Sequence, residues 1–142
     1  MKKLWLLALP LLMSMTVLAG DGKETTGIRF TETGWADVAK KAAKEKKLVF
    51  VDVYTTWCGP CKLLKRSTFP DKAVGEYFNA KFVSTAIDAE KGEGVDFATK
   101  YNVQGYPTML ILDKDGKELA RTMGYIPPEQ LLEFGKSVEG KK

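Results

Sequence analysis

Leu48-Val49-Phe50-Val51-Asp52-Val53-Tyr54 leads, through two threonines, into Trp57-Cys58-Gly59-Pro60-Cys61. The first of these stretches shows no alternation of polar and apolar residues, and Asp52 alone interrupts it. A short continuous apolar run of this kind predicts a strand buried on both faces, as in the centre of a sheet flanked by helices. The second stretch holds both cysteines of the 142-residue chain. From Cys58 to Arg66 the pattern predicts a helix with Pro60 in its first turn, where a missing N–H costs nothing and the fixed φ suits the helix. A strand that runs into Cys-x-x-C at the mouth of a helix reads as a redox arrangement rather than a packing one.

The chemistry of that arrangement depends on which sulfur ionises. A thiolate is the attacking species in disulfide exchange, so a redox cysteine needs a lowered pKa and access to solvent. Cys58, at a helix N-terminus, has free N–H groups and the positive end of the helix dipole aimed at its sulfur, which makes it the expected nucleophile. Cys61, one turn further in, is the expected resolving thiol. Asp52 precedes Cys58 by six residues; buried in its strand, it would have a raised pKa and could exchange a proton with a nearby thiol, or it could sit at an edge facing solvent. A permanent structural disulfide is a weaker reading, because so short a loop constrains the unfolded chain little. Zinc is weaker still, since four ligands are usual and the chain has two cysteines and no histidine. No metal and no cofactor beyond the cysteine pair is expected.

Outward from this centre, the composition is that of one domain. A chain of 142 residues that is 44% hydrophobic can build a core without staples. Residues 1–19 differ from the rest: Lys2 and Lys3, then the apolar run from Leu4 to Leu18 interrupted by Pro10, then Val17-Leu18-Ala19 as a small-residue cleavage site. This is the pattern of a secretory signal peptide, too short for a span of about twenty apolar residues. The mature chain is expected to start near Gly20, soluble and periplasmic or otherwise secreted, with no stable membrane insertion. Removing Lys2 and Lys3 from the 22 basic residues leaves 20 against 18 acidic ones. The lysines from Lys40 to Lys47 then read as a solvated helix face, and no nucleic-acid partner is expected.

Residues 20–33 are expected to be a flexible lead-in, with Ile28 to Phe30 as a possible first strand. Trp35, Val38, Ala39, Ala42 and Ala43 recur at helical spacing, predicting a helix over 34–46 with Thr33 as its cap. After Pro70 a further helical piece carries Val74, Tyr77 and Phe78 on one face. Phe82 to Ile87 is the next strand, 88–94 a loop, and Val95 to Tyr101 a short helix. Thr108 to Leu112 and Glu118 to Met123 form a hairpin about Asp113-Lys114-Asp115-Gly116. Pro127 to Ser137 is the closing helix, and 139–142 a frayed tail. Parallel connections followed by an antiparallel hairpin give an α/β domain over 34–138, with a mixed central sheet of four to five strands and helices on both faces.

The stretch Val51-Asp52-Val53-Tyr54-Thr55-Thr56-Trp57-Cys58-Gly59-Pro60-Cys61-Lys62 resembles the active-site signature of the thioredoxin family. Val103-Gln104-Gly105-Tyr106-Pro107-Thr108 resembles the family's segment before its fourth strand, and Gly124 its glycine ahead of the last helix. The resemblance implies a thioredoxin fold, a buried acid at Asp52 and a cis proline at Pro107 packed against the cysteines. It further implies that the Tyr106 backbone pairs with an extended substrate segment, and that Trp57, Gly59 and Pro60 shape the face around Cys58. The chain departs from the family at Ser84, where thioredoxins commonly carry a lysine. The segment Ser67-Thr68-Phe69-Pro70-Asp71, with Val74, Phe82-Val83 and the loop around Gly92-Glu93-Gly94, is similar to exported thioredoxin-like proteins and to the C-terminal periplasmic domain of DsbD.

The resemblance implies an exported thiol-disulfide oxidoreductase. Gly59-Pro60 and the lack of histidine favour a reductant of protein disulfides, recharged by a membrane thiol reductant of the DsbD type. A disulfide oxidase or isomerase is the second enzyme reading, and a thioredoxin-fold binding module with an idle cysteine pair is the third. A monomer is the default oligomeric expectation.

Overall fold

The computed structural model describes residues 26–141, so the expected signal peptide at 1–19 lies outside the described residues. The apolar stretch forms β1 (Leu48–Tyr54), whose interior positions are all buried. It pairs in parallel with β2 (Phe82–Asp88) and antiparallel with β3 (Thr108–Leu112), and β3 pairs antiparallel with β4 (Glu118–Met123). The sheet order is β2-β1-β3-β4. Such a sheet, parallel where helical crossovers join the strands and antiparallel where the hairpin does, is the mixed α/β architecture expected from the order of elements.

Alternation along β1 divides the core in two. Val49, Val51 and Val53 face a layer that includes α1 (Trp35–Glu45) and α4 (Glu93–Lys100), through Val38, Ala42 and Phe97. Phe50 faces the other layer, built from α2 (Gly59–Leu63) with the turn that continues it, α3 (Lys72–Lys81) and α5 (Pro128–Lys136), through Leu64, Phe78 and Leu131. Phe50 is fully buried and stands edge-on to Phe78 with ring centroids 4.8 Å apart. Burying each such ring is worth about 1.5–3 kcal/mol. By the same alternation Asp52 lies on the Phe50 side, the face that α2 covers.

The structure differs from the sequence reading at several boundaries. The helix after Cys58 does not stop at Arg66: α2 gives way to a π-helical turn over Leu64–Thr68, closed by the Phe69 N–H donating to the Leu64 carbonyl at 2.9 Å. The wider turn carries one more residue per turn than its flanks, which lets Leu64, Thr68 and Phe69 all face inward. Thr33 does not cap α1. Gly34 holds the N-cap position, and the first N–H, on Trp35, donates to Glu93 Oε1 at 2.7 Å. The cap is therefore tertiary, supplied by the neighbouring helix on the same face. α4 begins at Glu93 rather than Val95, and Gly94 in its first turn lies so close to β2 that a Cβ there would collide with the Asp88 carbonyl and come within 2.9 Å of Ile87 Cγ2.

The possible strand at Ile28 to Phe30 reduces to a single bridge between Phe30 and Ser84. Its backbone groups are spent elsewhere: Ile28 N–H donates to the Phe69 carbonyl, Arg29 N–H to Asn79 Oδ1, and Asn79 Nδ2 to the Gly27 carbonyl, at 2.9–3.0 Å. Residues 26–33 are thus a pinned strap along the outer side of β2, not a flexible lead-in. The strap lies against α3 so closely that a Cβ on Gly75 would stand 2.5 Å from Gly27 backbone atoms. Gly75→Ala is expected to destabilise the protein by about 1–3 kcal/mol, the usual cost of overpacking, despite alanine's better helix propensity. A urea-unfolding midpoint equal to or above that of the parent protein would refute this contact argument. At the other end, Tyr77 OH donates to Glu139 Oε1 at 2.7 Å, so the segment expected to fray is tied at its first residue.

The hairpin turns where expected: Asp113 Oδ1 accepts from the N–H groups of Asp115 and Lys117, and Gly116 takes φ of 81°. A register shift at Ile111/Leu112 bends the edge strand β4. Among the described residues no helix is long and apolar enough to cross a membrane.

Candidate active site

Cys58 caps the N-terminus of α2, with φ −72° and ψ 114°, and its sulfur accepts the Cys61 N–H at 3.2 Å. Pro60 stands in the first turn, so one of the helix's free N–H groups is absent by chemistry and the remaining ones point toward Cys58. The two sulfurs are joined in a disulfide with the Cα atoms 5.3 Å apart. This is the oxidised form.

Solvent access differs from the sequence expectation. In this form Cys58 is 3% exposed and Cys61 1%, because the two sulfurs face each other and the backbone N–H of Cys61 covers one of them. The surface belongs to the flanks: Trp57 is 65% exposed, and Gly59 and Pro60 are exposed too. The Trp57 ring is held from two sides. It stands edge-on to the Tyr106 ring with centroids 6.0 Å apart, and its Nε1 donates to Glu90 Oε1 at 3.0 Å. Glu90 was not legible as a site residue, since nothing in the polar loop after β2 marks one acid over another.

The sheet explains why Trp57 meets Tyr106. β1 ends at Tyr54 and β3 begins at Thr108, and the two strands are antiparallel with Val53 opposite Thr108. Residues just after β1 and just before β3 therefore share one end of the sheet. The Tyr106–Pro107 peptide bond is cis, and Pro107 is buried, its carbonyl accepting the Gly124 N–H at 2.8 Å. Pairing of β3 with both neighbours starts at Thr108, which leaves the Tyr106 peptide outside the ladder at the rim beside the disulfide. Met123, 60% exposed, extends the same rim as the residue opposite Thr108.

Asp52 lies beneath this surface. It is fully buried, with Ala86 opposite it on β2 and Met109 opposite on β3, and no protein donor reaches either carboxyl oxygen. Burial raises its pKa from the ordinary 3.8 to about 7, while the positive charge of Lys65 pulls the other way. Such a carboxyl gains and loses a proton near neutrality, which is what a proton relay needs. Ser84 is buried two residues before Ala86 on β2, on the same face as Asp52, and its Oγ lacks a partner. Among the described residues no group of three His, Cys, Asp or Glu side chains is gathered in metal-binding geometry.

A family model, the thioredoxin-like domain, matches residues 35–139. The chain belongs to the thioredoxin-like family. Thioredoxin from Mycoplasma genitalium is 36% identical over 91 residues, covering 63% of this chain and 80% of that protein. The thiol:disulfide interchange protein DsbD of Actinobacillus pleuropneumoniae is 33% identical over 99 residues, covering 67% of this chain; the chain spans 17% of that longer protein. Among solved structures, a putative disulphide-isomerase from Bacteroides thetaiotaomicron is 41% identical with a TM-score of 0.73, covering 84% of this chain and 98% of that one. The C-terminal domain of Neisseria meningitidis DsbD, at 20% identity and a TM-score of 0.62, shares the fold over 72% of this chain and 90% of its own. The thioredoxin-like family and the Cys58–Cys61 disulfide together make the chain a thiol-disulfide oxidoreductase.

Proposed function

We propose that the protein reduces disulfides of other proteins outside the cytoplasm, with Cys58 as nucleophile, Cys61 as resolving thiol and Asp52 as proton acceptor. The observation that carries this reading is the N-cap geometry of Cys58: a sulfur held against a helix N–H is the one whose thiolate the helix favours. In the reducing direction the Cys58 thiolate attacks one sulfur of the substrate disulfide. A mixed disulfide forms, and the displaced substrate thiolate takes up a proton. Cys61 then gives its proton to the Asp52 carboxylate and attacks the Cys58 sulfur, releasing the second substrate thiolate. The second substrate thiolate takes up the proton that Asp52 releases, so that two electrons and two protons reach the substrate and the enzyme is left as the disulfide seen here.

The docking surface follows from the same rim. The exposed ring of Trp57 with Gly59 and Pro60 gives a face for the segment flanking the substrate disulfide, and the unladdered Tyr106 peptide next to Pro107 suits strand addition. Export is supported by the leader-like pattern of residues 1–19 and by the likeness to DsbD. Outside the cytoplasm a reductant must be recharged against an oxidising compartment. A membrane thiol reductant of the DsbD type fits that need as electron donor. The protein acts as a monomer, with no cofactor beyond its cysteine pair.

A disulfide isomerase is the second reading, favoured by the named function of the Bacteroides relative. About 30 mV of reduction potential corresponds to roughly 1.4 kcal/mol, so one or two hydrogen bonds to a sulfur decide between the directions. The full chain carrying Cys61→Ser is expected to accumulate mixed disulfides with client proteins through Cys58, visible as reductant-sensitive bands. The same experiment on Cys58→Ser should trap almost none. Equal trapping by the two variants would overturn the assignment of nucleophile and resolving thiol, and a potential well above that of thioredoxin would favour the isomerase.

A further inference from the structure

A cavity of about 600 Å³ lies between the strap and the helix that follows the cysteines. Thr26, Thr31 and Thr33 of the strap line one side, Lys65 and Phe69 another, and Asp52 and Ala86 its sheet wall. The strap is fastened over it: Thr31 N–H donates to the Ser84 carbonyl at 2.7 Å, and Thr85 Oγ1 to the Thr31 carbonyl at 3.0 Å. A space of this size and polarity holds several waters at about 30 Å³ each. It adjoins the Asp52 side chain, whose carboxyl oxygens are themselves closed off from the surface and have no protein donor.

Lys65 is placed to act on that carboxyl. It lies in the π-helical turn that follows Cys61, exposed where Cys61 is buried, and its Nζ sits 3.8 Å from the centre of the Tyr54 ring. That cation–π contact fixes a flexible side chain over a residue two positions from Asp52 on the same strand face. We propose that Lys65 is the positioning residue that, through this cavity, holds Asp52 ready to take and release the proton of the disulfide-exchange step. The idea rests on the role of Asp52 given above. The other charged or titratable groups lining the cavity are Glu32 and Tyr54, and Asp88 adds its negative charge near the Tyr54 hydroxyl. Lys65 is therefore the one cation among the lining residues, and its removal takes away the charge that favours Asp52 ionisation.

The test uses the full chain with Lys65→Met, Lys65→Arg and, as a control, Lys62→Met, an exposed lysine outside the cavity lining. Asp52 titration is followed by NMR of carboxyl-labelled aspartate, and insulin-disulfide reduction is followed against pH in parallel. In Lys65→Met the Asp52 midpoint should rise by roughly one unit, the low end of the effect of a nearby opposite charge. The acid limb of the activity profile should move up with it, and Lys65→Arg should restore both, with Lys62→Met unchanged. An Asp52 midpoint that does not move in Lys65→Met, or moves as much in Lys62→Met, overturns the proposal and leaves the cysteine chemistry untouched. A moved midpoint with an unmoved profile shows that Lys65 sets the ionisation of Asp52 but removes both from the proton step, and so overturns the proposal together with the role of Asp52.

Discussion

Cys58→Ser is expected to bring disulfide reduction by the protein down to background, a loss of at least about 10³-fold, the scale on which removal of a covalent nucleophile is felt. A serine hydroxyl at the same N-cap keeps the helix: serine is among the preferred capping residues and its oxygen accepts the same N–H. Folding is therefore preserved while the attacking thiolate is lost. The measurement is the rate of insulin-disulfide reduction with dithiothreitol as electron source, with circular dichroism to show that the fold persists. Turnover within tenfold of the parent protein would remove Cys58 from the role of nucleophile. Cys61→Ser loses turnover as well but retains the first attack, so the two variants separate by what they trap rather than by how slow they are.

The second large effect concerns stability and not turnover. Asp52 is fully buried, and its pKa is raised from 3.8 to about 7. Between those values the unfolded chain carries an ionised aspartate and the folded one a neutral acid, so the unfolded state binds fewer protons and stability falls as pH rises. Below about pH 4 the penalty is absent, and above about pH 7 it is complete, amounting to something on the order of 4 kcal/mol. Asp52→Asn keeps the shape and cannot ionise. In its oxidised form it should match the parent protein near pH 4 and exceed it by several kcal/mol at pH 8, with the gap opening between those limits. Urea unfolding at a series of pH values reads this directly. A gap independent of pH would mean that Asp52 ionises as easily in the folded protein as outside it.

The legible part of the molecule was the part written in periodicity and short motifs. The unbroken run from Leu48 to Tyr54 announced a central strand, the Asp113–Gly116 turn a hairpin, and the Cys-Gly-Pro-Cys spacing a capped helix; each depends on residues near one another in sequence. What escaped depends on distant residues. The cap of α1 comes from Glu93, 58 residues on, and the anchor of Trp57 from Glu90, 33 residues on. The π-helical turn left no local trace because it arises from the need of Leu64, Thr68 and Phe69 to face one core together. Ser84 stands where the resemblance places a strand lysine, and the cation near Asp52 comes instead from Lys65 on a helix.

The two rims of the sheet have a bearing on how the protein meets extended polypeptides. A bare strand edge invites any unpaired chain to add to it, the route to aggregation. Along β2 that invitation is closed by the strap, which takes the Ser84 carbonyl for its own Thr31 N–H. Along β4 it is spoiled by the register shift and by Arg121, which pairs with Glu118 at 2.6 Å while its guanidinium reaches the Tyr101 carbonyl. With both flanks guarded, the proposed strand addition at Tyr106, outside the strand pairing, would meet no competing edge. Under that proposal, selectivity for a chain presented next to a disulfide would be a property of the sheet's borders as much as of the cysteines.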